Sequence, residues 1–300
     1  MSNRNDESLV VLEPEIQTES GSVVRAILAP NRRRFLFGAA AAAAGALGTM
    51  GLAGCAGNPN ALGNNPGDQP SPPQAPSVTD VLNFALNLEY LEASFYGYAA
   101  NGTGIPSSSQ GASPGTVTGG AKVAFSDPQV AAIAAQLAAE ELDHVNFLRA
   151  TITAVGGTPV SMPAIDLTAG GTYTVNSDAT FLSLARELED TGMSAYIGAA
   201  QYLVSSAQAL TYAAQIAMVE GQHEGNLRSL CIQKGITSKA VDTQDIPPTG
   251  TSWFNTSPTT GLSPLRTTSQ VLAIVYGSTS GATASGGFFP KGLNGTIGVE

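Results

Sequence analysis

Both histidines of this 300-residue chain stand three residues after a glutamate and four before a Leu-Arg pair. One stretch holds Glu141, His144 and Leu148-Arg149; the other holds Glu220, His223 and Leu227-Arg228. The surrounding sequence has helical period, so residues three and four apart share a face. Glu141 and His144 align with Leu137 and Leu148, and Glu220 and His223 with Ile216 and Leu227. Ionisable groups on a leucine stripe point into a core. A buried, unpaired carboxylate is too costly to keep, so the fold must bring it a counter-charge. With thirteen glutamates in the chain, both histidines match this spacing by chance at roughly two in a thousand.

Four stretches have helical periodicity with an inward stripe. The first, about 79–100, carries Leu82, Ala85, Glu89, Glu92, Tyr96 and Ala99, widened by Phe84, Leu88, Leu91 and Phe95. The second opens at Ser126-Asp127-Pro128, where Asp127 suits the cap and Pro128 the first helical position, and ends at Gly156-Gly157. Its stripe is Val130, Ile133, Leu137, Glu141, His144, Leu148, Ile152 and Val155. The third, about 178–203, shows Leu182, Ala185, Glu189, Gly192, Tyr196, Ala200 and Leu203. The fourth, about 207–233, shows Ala213, Ile216, Glu220, His223, Leu227 and Leu230. The chain is therefore expected to be all-α, a four-helix bundle.

The bundle is internally duplicated. Its first and third helices each carry a glutamate followed seven residues later by a tyrosine, Glu89/Tyr96 and Glu189/Tyr196. Each tyrosine is expected to reach back, as a hydrogen-bond donor, toward the site its own helix supplies. One Glu from each of two helices plus Glu-x-x-His from the other two is the ligand pattern of dinuclear carboxylate bundles. The candidate metal ligands are Glu89, Glu141, His144, Glu189, Glu220 and His223. Four carboxylates balance two divalent cations, and an oxygen-rich set with two imidazoles suits iron or manganese, with zinc a further occupant. Glu92 shares the stripe of Glu89. Glu89 is preferred because it has the paired Tyr96, and Glu92 is left as a bridging carboxylate or an outer hydrogen-bond partner. Gly192 and Gly221 interrupt helix interiors, either for close helix packing or to leave space beside the metals.

"LNFALNLEYLEASFYGY", "AAEELDHVNFLRA", "LARELEDTGMSAYIGAA" and "AMVEGQHEGNLRSL" resemble the four helices of the ferritin-like domain family that includes the desiccation-related proteins. The resemblance covers about 78–235, and the ending "TTSQVLAIVYG … GGFFPKGLNG" is similar to that family's C-terminal extension. It implies a di-metal site on the six residues and redox chemistry on dioxygen or peroxide, or alternatively a non-catalytic, metal-stabilised stress protein.

The connections fit. Residues 204–206 allow only an antiparallel hairpin, and 156–177 are long enough for the crossover. The Gly/Ser-rich segment 101–125 either covers one end of the bundle or moves freely. The region 236–300 is expected to be irregular, with one short helix near 268–276, and with Trp253, Phe288 and Phe289 packed against the bundle or a partner chain. Cys231 is expected to be a buried small residue.

Ahead of the bundle, "NRRRFLFGAAAAAAGALGTMGLAGC" (31–55) sets a basic cluster before about twenty weakly apolar residues. Its length would permit a membrane span, but the weak hydrophobicity and basic flank read better as an export signal. Arg32-Arg33-Arg34-Phe35-Leu36 resembles a twin-arginine motif, and Leu52-Ala53-Gly54-Cys55 a bacterial lipobox with Cys55 as the lipidated residue. Residues 1–55 are thus an expected address and 56–77, rich in Pro, Gly and Asn, an expected disordered tether. The protein is expected in the cell envelope or periplasm, held to the membrane by its lipid. A net charge of −10 with no basic cluster beyond the N-terminus argues against nucleic acid. Two cysteines support neither a disulfide framework nor a cysteine-rich metal site.

Overall fold

In the computed structural model, residues 75–279 and 282–298 are described. The basic and apolar stretch 31–55 with Cys55, and the tether up to residue 74, lie outside the described residues. The element order is α1 (Val78–Asn101), a short α2 (Ser107–Gln110), β1 (Val117–Thr118), α3 (Pro128–Ala154), β2 (Ile165–Asp166), α4 (Asp178–Ala199), a 3-10 turn (Ala200–Tyr202), α5 (Ala207–Gln233) and α6 (Thr268–Val275). No described helix is long and apolar enough to cross a membrane.

Local chemistry sets the helix ends. Ser77 and Asp80 form a reciprocal capping box at the start of α1, which Gly102 closes in the left-handed region at φ 79°. Asp127 caps α3 by accepting from the Gln129 N–H at 2.7 Å, with Pro128 at the first position. Ser177 and Thr180 cap α4 reciprocally. The sequence predicts that this helix continues to Leu203, but it ends at Ala199. It tightens there into the 3-10 turn that runs to Tyr202, and a Cβ on Gly198 would lie 1.9 Å from the carbonyl oxygen of Arg266, so the C-terminal tail crosses α4 there in backbone contact. α5 follows after the short hairpin.

α1 packs chiefly on α3, and α4 on α5. α3 and α5 bury one stripe each, 9 and 10 of their 27 residues. α1 buries 18 of 24 and α4 buries 16 of 22, far beyond a stripe. The excess on α1 is covered by the crossover and the tail. Asn83 accepts from the Val160 N–H (2.9 Å) and donates to Thr158 O (3.1 Å), and Asn87 exchanges two hydrogen bonds with the Asn294 backbone. Segment 101–125 is pinned along the bundle by the parallel β1–β2 pairing, Val117 with Ile165 and Thr118 with Asp166. The tail joins the same layer where Asp166 N–H donates to Phe288 O at 2.9 Å.

Phe288 and Phe289 are buried, whereas Trp253 is 43% exposed and so is not buried against the bundle. Its backbone carbonyl accepts from Arg228, and its ring N–H donates to the nearby Gly250 carbonyl. Val155, the last residue of the expected α3 stripe, is also exposed because it lies past the helix end. Cys231 is fully buried, and burial pushes its thiol up to about 11.

Candidate metal centre

The six sequence-selected residues converge at mid-bundle as two groups of four. Glu89, Glu141, His144 and Glu220 form one; Glu141, Glu189, Glu220 and His223 form the other. Each helix contributes by its spacing: α3 and α5 give a Glu and a His one turn apart, α1 and α4 a single Glu. Glu141 and Glu220 belong to both groups. Glu141 shows how: its Oε2 lies 3.0 Å from His144 Nδ1 and its Oε1 3.0 Å from His223 Nδ1. The two rings are 6.2 Å apart, centroid to centroid.

The donor set fits cations better than it fits itself. Glu89, Glu141, Glu189 and Glu220 are fully buried. His144 Nδ1 faces Glu89 Oε2 at 3.3 Å, Glu141 Oε2 at 3.0 Å and Glu220 Oε1 at 3.4 Å. One ring nitrogen carries at most one hydrogen and cannot satisfy three oxygens. Glu89 Oε2, Glu141 Oε1 and both oxygens of Glu220 are left without a hydrogen-bond partner. Ligands about 2.1 Å from one ion and about 90° apart lie about 3.0 Å from each other, the spacing seen here. Buried acceptors at that spacing with no donors are a cation site's chemistry.

Electrostatics says the same. Burial, then Glu141 and Glu189, push Glu220 well above the ordinary carboxylate range. Burial and the Glu189 charge push Glu141 up to about 7. Burial pulls the imidazole of His223 down, but its bonds to Glu141 and Glu189 outweigh this and push it up to about 12. The cluster holds too much negative charge for two imidazoles to balance.

Glu92 is buried beside the cluster but belongs to neither group. Burial, followed by repulsion from Glu220, pushes its carboxyl well above the ordinary carboxylate range. Gly192 makes room for it: a Cβ there would stand 2.8 Å from Glu220 Oε2 and 2.9 Å from Glu92 Oε1. Gly221 does not share that role, since its nearest neighbour would be Met193 Sδ at 3.9 Å.

The tyrosines are hydrogen-bond donors to the centre, as the sequence suggests, but each reaches across to another helix. Tyr96 Oη donates to Glu189 Oε1 at 2.5 Å, and Tyr196 Oη donates to Glu89 Oε1. Each therefore holds the glutamate of the opposite helix, not its own. Pairing 96 with 189 and 89 with 196 is the register of two antiparallel helices. Seven residues along one helix is about 10.5 Å, too far for a tyrosine to reach its own helix's glutamate. Burial pushes both phenols well up, so both remain donors.

Two features escape sequence reasoning. Glu140, half outside the stripe, meets His223 Nε2 at 2.7 Å with its Oε2, although it is four residues from His144. No periodicity marks it, because its partner is on another helix. The second feature is the arginines. Arg186, Arg228 and Arg266 are buried, yet none pairs with the six residues. Arg186 and Arg228 both donate to Asp190 Oδ2 at 2.9 Å, and Arg186 also to Asp245 Oδ2 at 2.6 Å. Arg266 clasps Asp242 through Nε and Nη2, both at 2.8 Å. Their charge fastens the tail to α4 and α5, and among the described residues no cation other than histidine pairs with the centre.

A cavity of about 490 Å³ opens over the centre between α3 and α5, lined by Ile133, Gln136, Leu137, Glu140, Asp143, His144, Val219, Gln222, His223 and Asn226. It reaches both imidazoles.

The family model of the ferritin-like domain matches residues 77–233, more than half of the chain. This chain belongs to the ferritin-like domain family. Its fold is the all-α bundle of that family, with the crossover between the second and third bundle helices. Among solved structures, it is similar to a ferritin-like, diiron-carboxylate protein from Bacillus anthracis str. Ames at 18% identity and TM-score 0.39, covering 51% of this chain and 94% of that one. It is also similar to a conserved hypothetical protein from Mycobacterium tuberculosis at 16% identity and TM-score 0.39, covering 51% and 96%. A comparison with curated proteins found no match.

Proposed function

We propose that this ferritin-like chain is an exported, lipid-anchored protein whose Glu89, Glu141, His144, Glu189, Glu220 and His223 hold two divalent transition-metal ions, iron or manganese, for redox chemistry on dioxygen or peroxide. One observation carries the reading: two four-residue groups share Glu141 and Glu220, and four of their buried carboxylate oxygens have no hydrogen-bond partner. When bound, such ions supply paired redox equivalents to a small oxidant. The chain's own residues do the rest. Tyr96 and Tyr196 fix the orientations of Glu189 and Glu89. Glu141 presents one oxygen to each position. The cavity over His144 and His223 gives a small molecule a way in, which supports a reactive centre over a sealed one. Ferrous-iron oxidation, peroxide reduction and catalase-like disproportionation all fit, since a fold does not choose among them.

The alternative is a non-catalytic, metal-stabilised envelope protein of the desiccation-related kind, favoured by the likeness of the C-terminal stretch to that group. Export and lipidation rest on Arg32-Arg33-Arg34-Phe35-Leu36 and on Cys55.

Elemental analysis of protein taken from its own compartment should find about two transition-metal ions per chain, and the His144→Ala/His223→Ala variant should lose them. Equal metal in variant and parent would sink the reading. Rapid-mixing absorbance then separates the two functions. If the loaded centre is inert to dioxygen and hydrogen peroxide while metal still raises the melting temperature, the enzyme reading fails and the structural one stands.

A further inference from the structure

The two halves of the centre repeat one pattern, and the repeat breaks at a residue facing the site. With the histidines aligned, Glu140 of α3 corresponds to Val219 of α5. Both line the cavity above the two imidazoles. Glu140 Oε2 lies 2.7 Å from His223 Nε2, and its Oε1 accepts from Gln136 Nε2 at 2.7 Å, which fixes the carboxylate in place. Val219 offers no such acceptor to His144. Every polar contact of His144 among the described residues runs through Nδ1.

A carboxylate on one imidazole nitrogen holds the hydrogen there and orients the ring. It also makes the other nitrogen a better donor to a metal. Glu140 thereby holds the hydrogen on His223 Nε2 and turns Nδ1 toward Glu141 Oε1 at 3.0 Å and Glu189 Oε2 at 3.2 Å. His144 Nδ1 also faces carboxylates, Glu89, Glu141 and Glu220, but among the described residues its ring has no such support on the other nitrogen.

We propose that Glu140 is a positioning residue that makes the two metal positions unequal, so that the His223 position fills first and the His144 position fills second and exchanges faster. This rests on the dinuclear reading above. The order follows from the Glu140–Val219 difference, where a carboxylate meets a ring nitrogen, and not from the shared carboxylates, because Glu141 and Glu220 serve both positions. Losing an outer carboxylate of this kind weakens metal binding about 10–100-fold.

The test is a Co(II) titration of the full metal-free chain, followed by visible absorption, with equilibrium dialysis for stoichiometry. The parent should bind two ions in two steps with different spectra. His144→Ala should keep the tight step and its spectrum, and His223→Ala should lose it. Glu140→Gln should weaken the tight step about 10–100-fold and shift its spectrum, while circular dichroism and melting of the metal-free protein stay as in the parent. Val219→Glu, made in the Glu140→Gln background, should tighten the His144 position and reverse the order. A parent that binds two ions with one constant, or a Glu140→Gln variant with both constants and both spectra unchanged, overturns the proposal and leaves the dinuclear reading intact. A parent that saturates below two ions overturns both.

Discussion

Gly192→Ala tests whether the missing side chain at this position is part of the centre. In an ordinary helix interior, replacing Gly by Ala stabilises by about 1 kcal/mol. At Gly192 the new Cβ would stand 2.8 Å from Glu220 Oε2 and 2.9 Å from Glu92 Oε1, closer than real Cβ contacts come. Both carboxylates are buried, so neither can swing into solvent. Overpacking of this kind costs about 1–3 kcal/mol. Gly225, inside α5, supplies the control, because nothing lies within 4 Å of its added Cβ. Gly225→Ala should show only the helix-propensity gain, and Gly192→Ala that gain minus the clash. The two should differ by about 1–3 kcal/mol, which for a domain of this size is roughly 2–12 °C in melting temperature. Because Glu220 belongs to both ligand groups, displacing it should also lower affinity at both metal positions together. Thermal melts of the metal-free proteins and a metal titration of each measure the two effects. If Gly192→Ala is as stable as Gly225→Ala and binds metal like the parent, the role assigned to Gly192 is wrong.

Arg228→Met should cost about 3–5 kcal/mol in urea unfolding, since it breaks a buried ion pair and leaves the Asp190 carboxylate with Arg186 as its one arginine partner among the described residues. A cost below about 1 kcal/mol would show that the network contributes little. Asp242→Asn tests the clasp on the tail through pH. Burial pushes the Asp242 carboxyl up, but the Arg266 hydrogen bonds and charge hold it below the ordinary range. A depressed folded value means stability that is present above the unfolded value of about 3.9 and lost as pH falls through the folded one. Asp242→Asn should therefore be less stable than the parent at neutral pH, with the gap closing in acid; a gap independent of pH refutes the charge argument. For export, Arg32→Lys with Arg33→Lys should hold the protein in the cytoplasm, and Cys55→Ala should release it from membranes. Cys55→Ala protein that still pellets with membranes in high salt would rule out a lipid as the sole anchor.

The sequence by itself determined the four helices, the Asp127-Pro128 cap and the six residues that converge, because these depend on short-range order. A period of 3.6 places Glu141 and His144 on one face whatever surrounds them, and Asp127-Pro128 starts a helix through its own backbone chemistry. It also fixed the need for a counter-charge, since four glutamates on apolar stripes cannot be buried alone. What depends on neighbours far along the chain was decided only by the tertiary structure. The antiparallel register of α1 and α4 sends Tyr96 to Glu189 and Tyr196 to Glu89, where spacing within each helix pointed to its own glutamate. The tail crosses α4 at Gly198, where a side chain would meet the Arg266 carbonyl. Wrapping by the crossover and the tail buries α1 on nearly all sides, which no stripe reveals. Glu140 finds His223 across the bundle instead of His144 on its own helix. Periodicity reports which way a side chain points from its own axis; which group it meets is set by the packing of one helix on another.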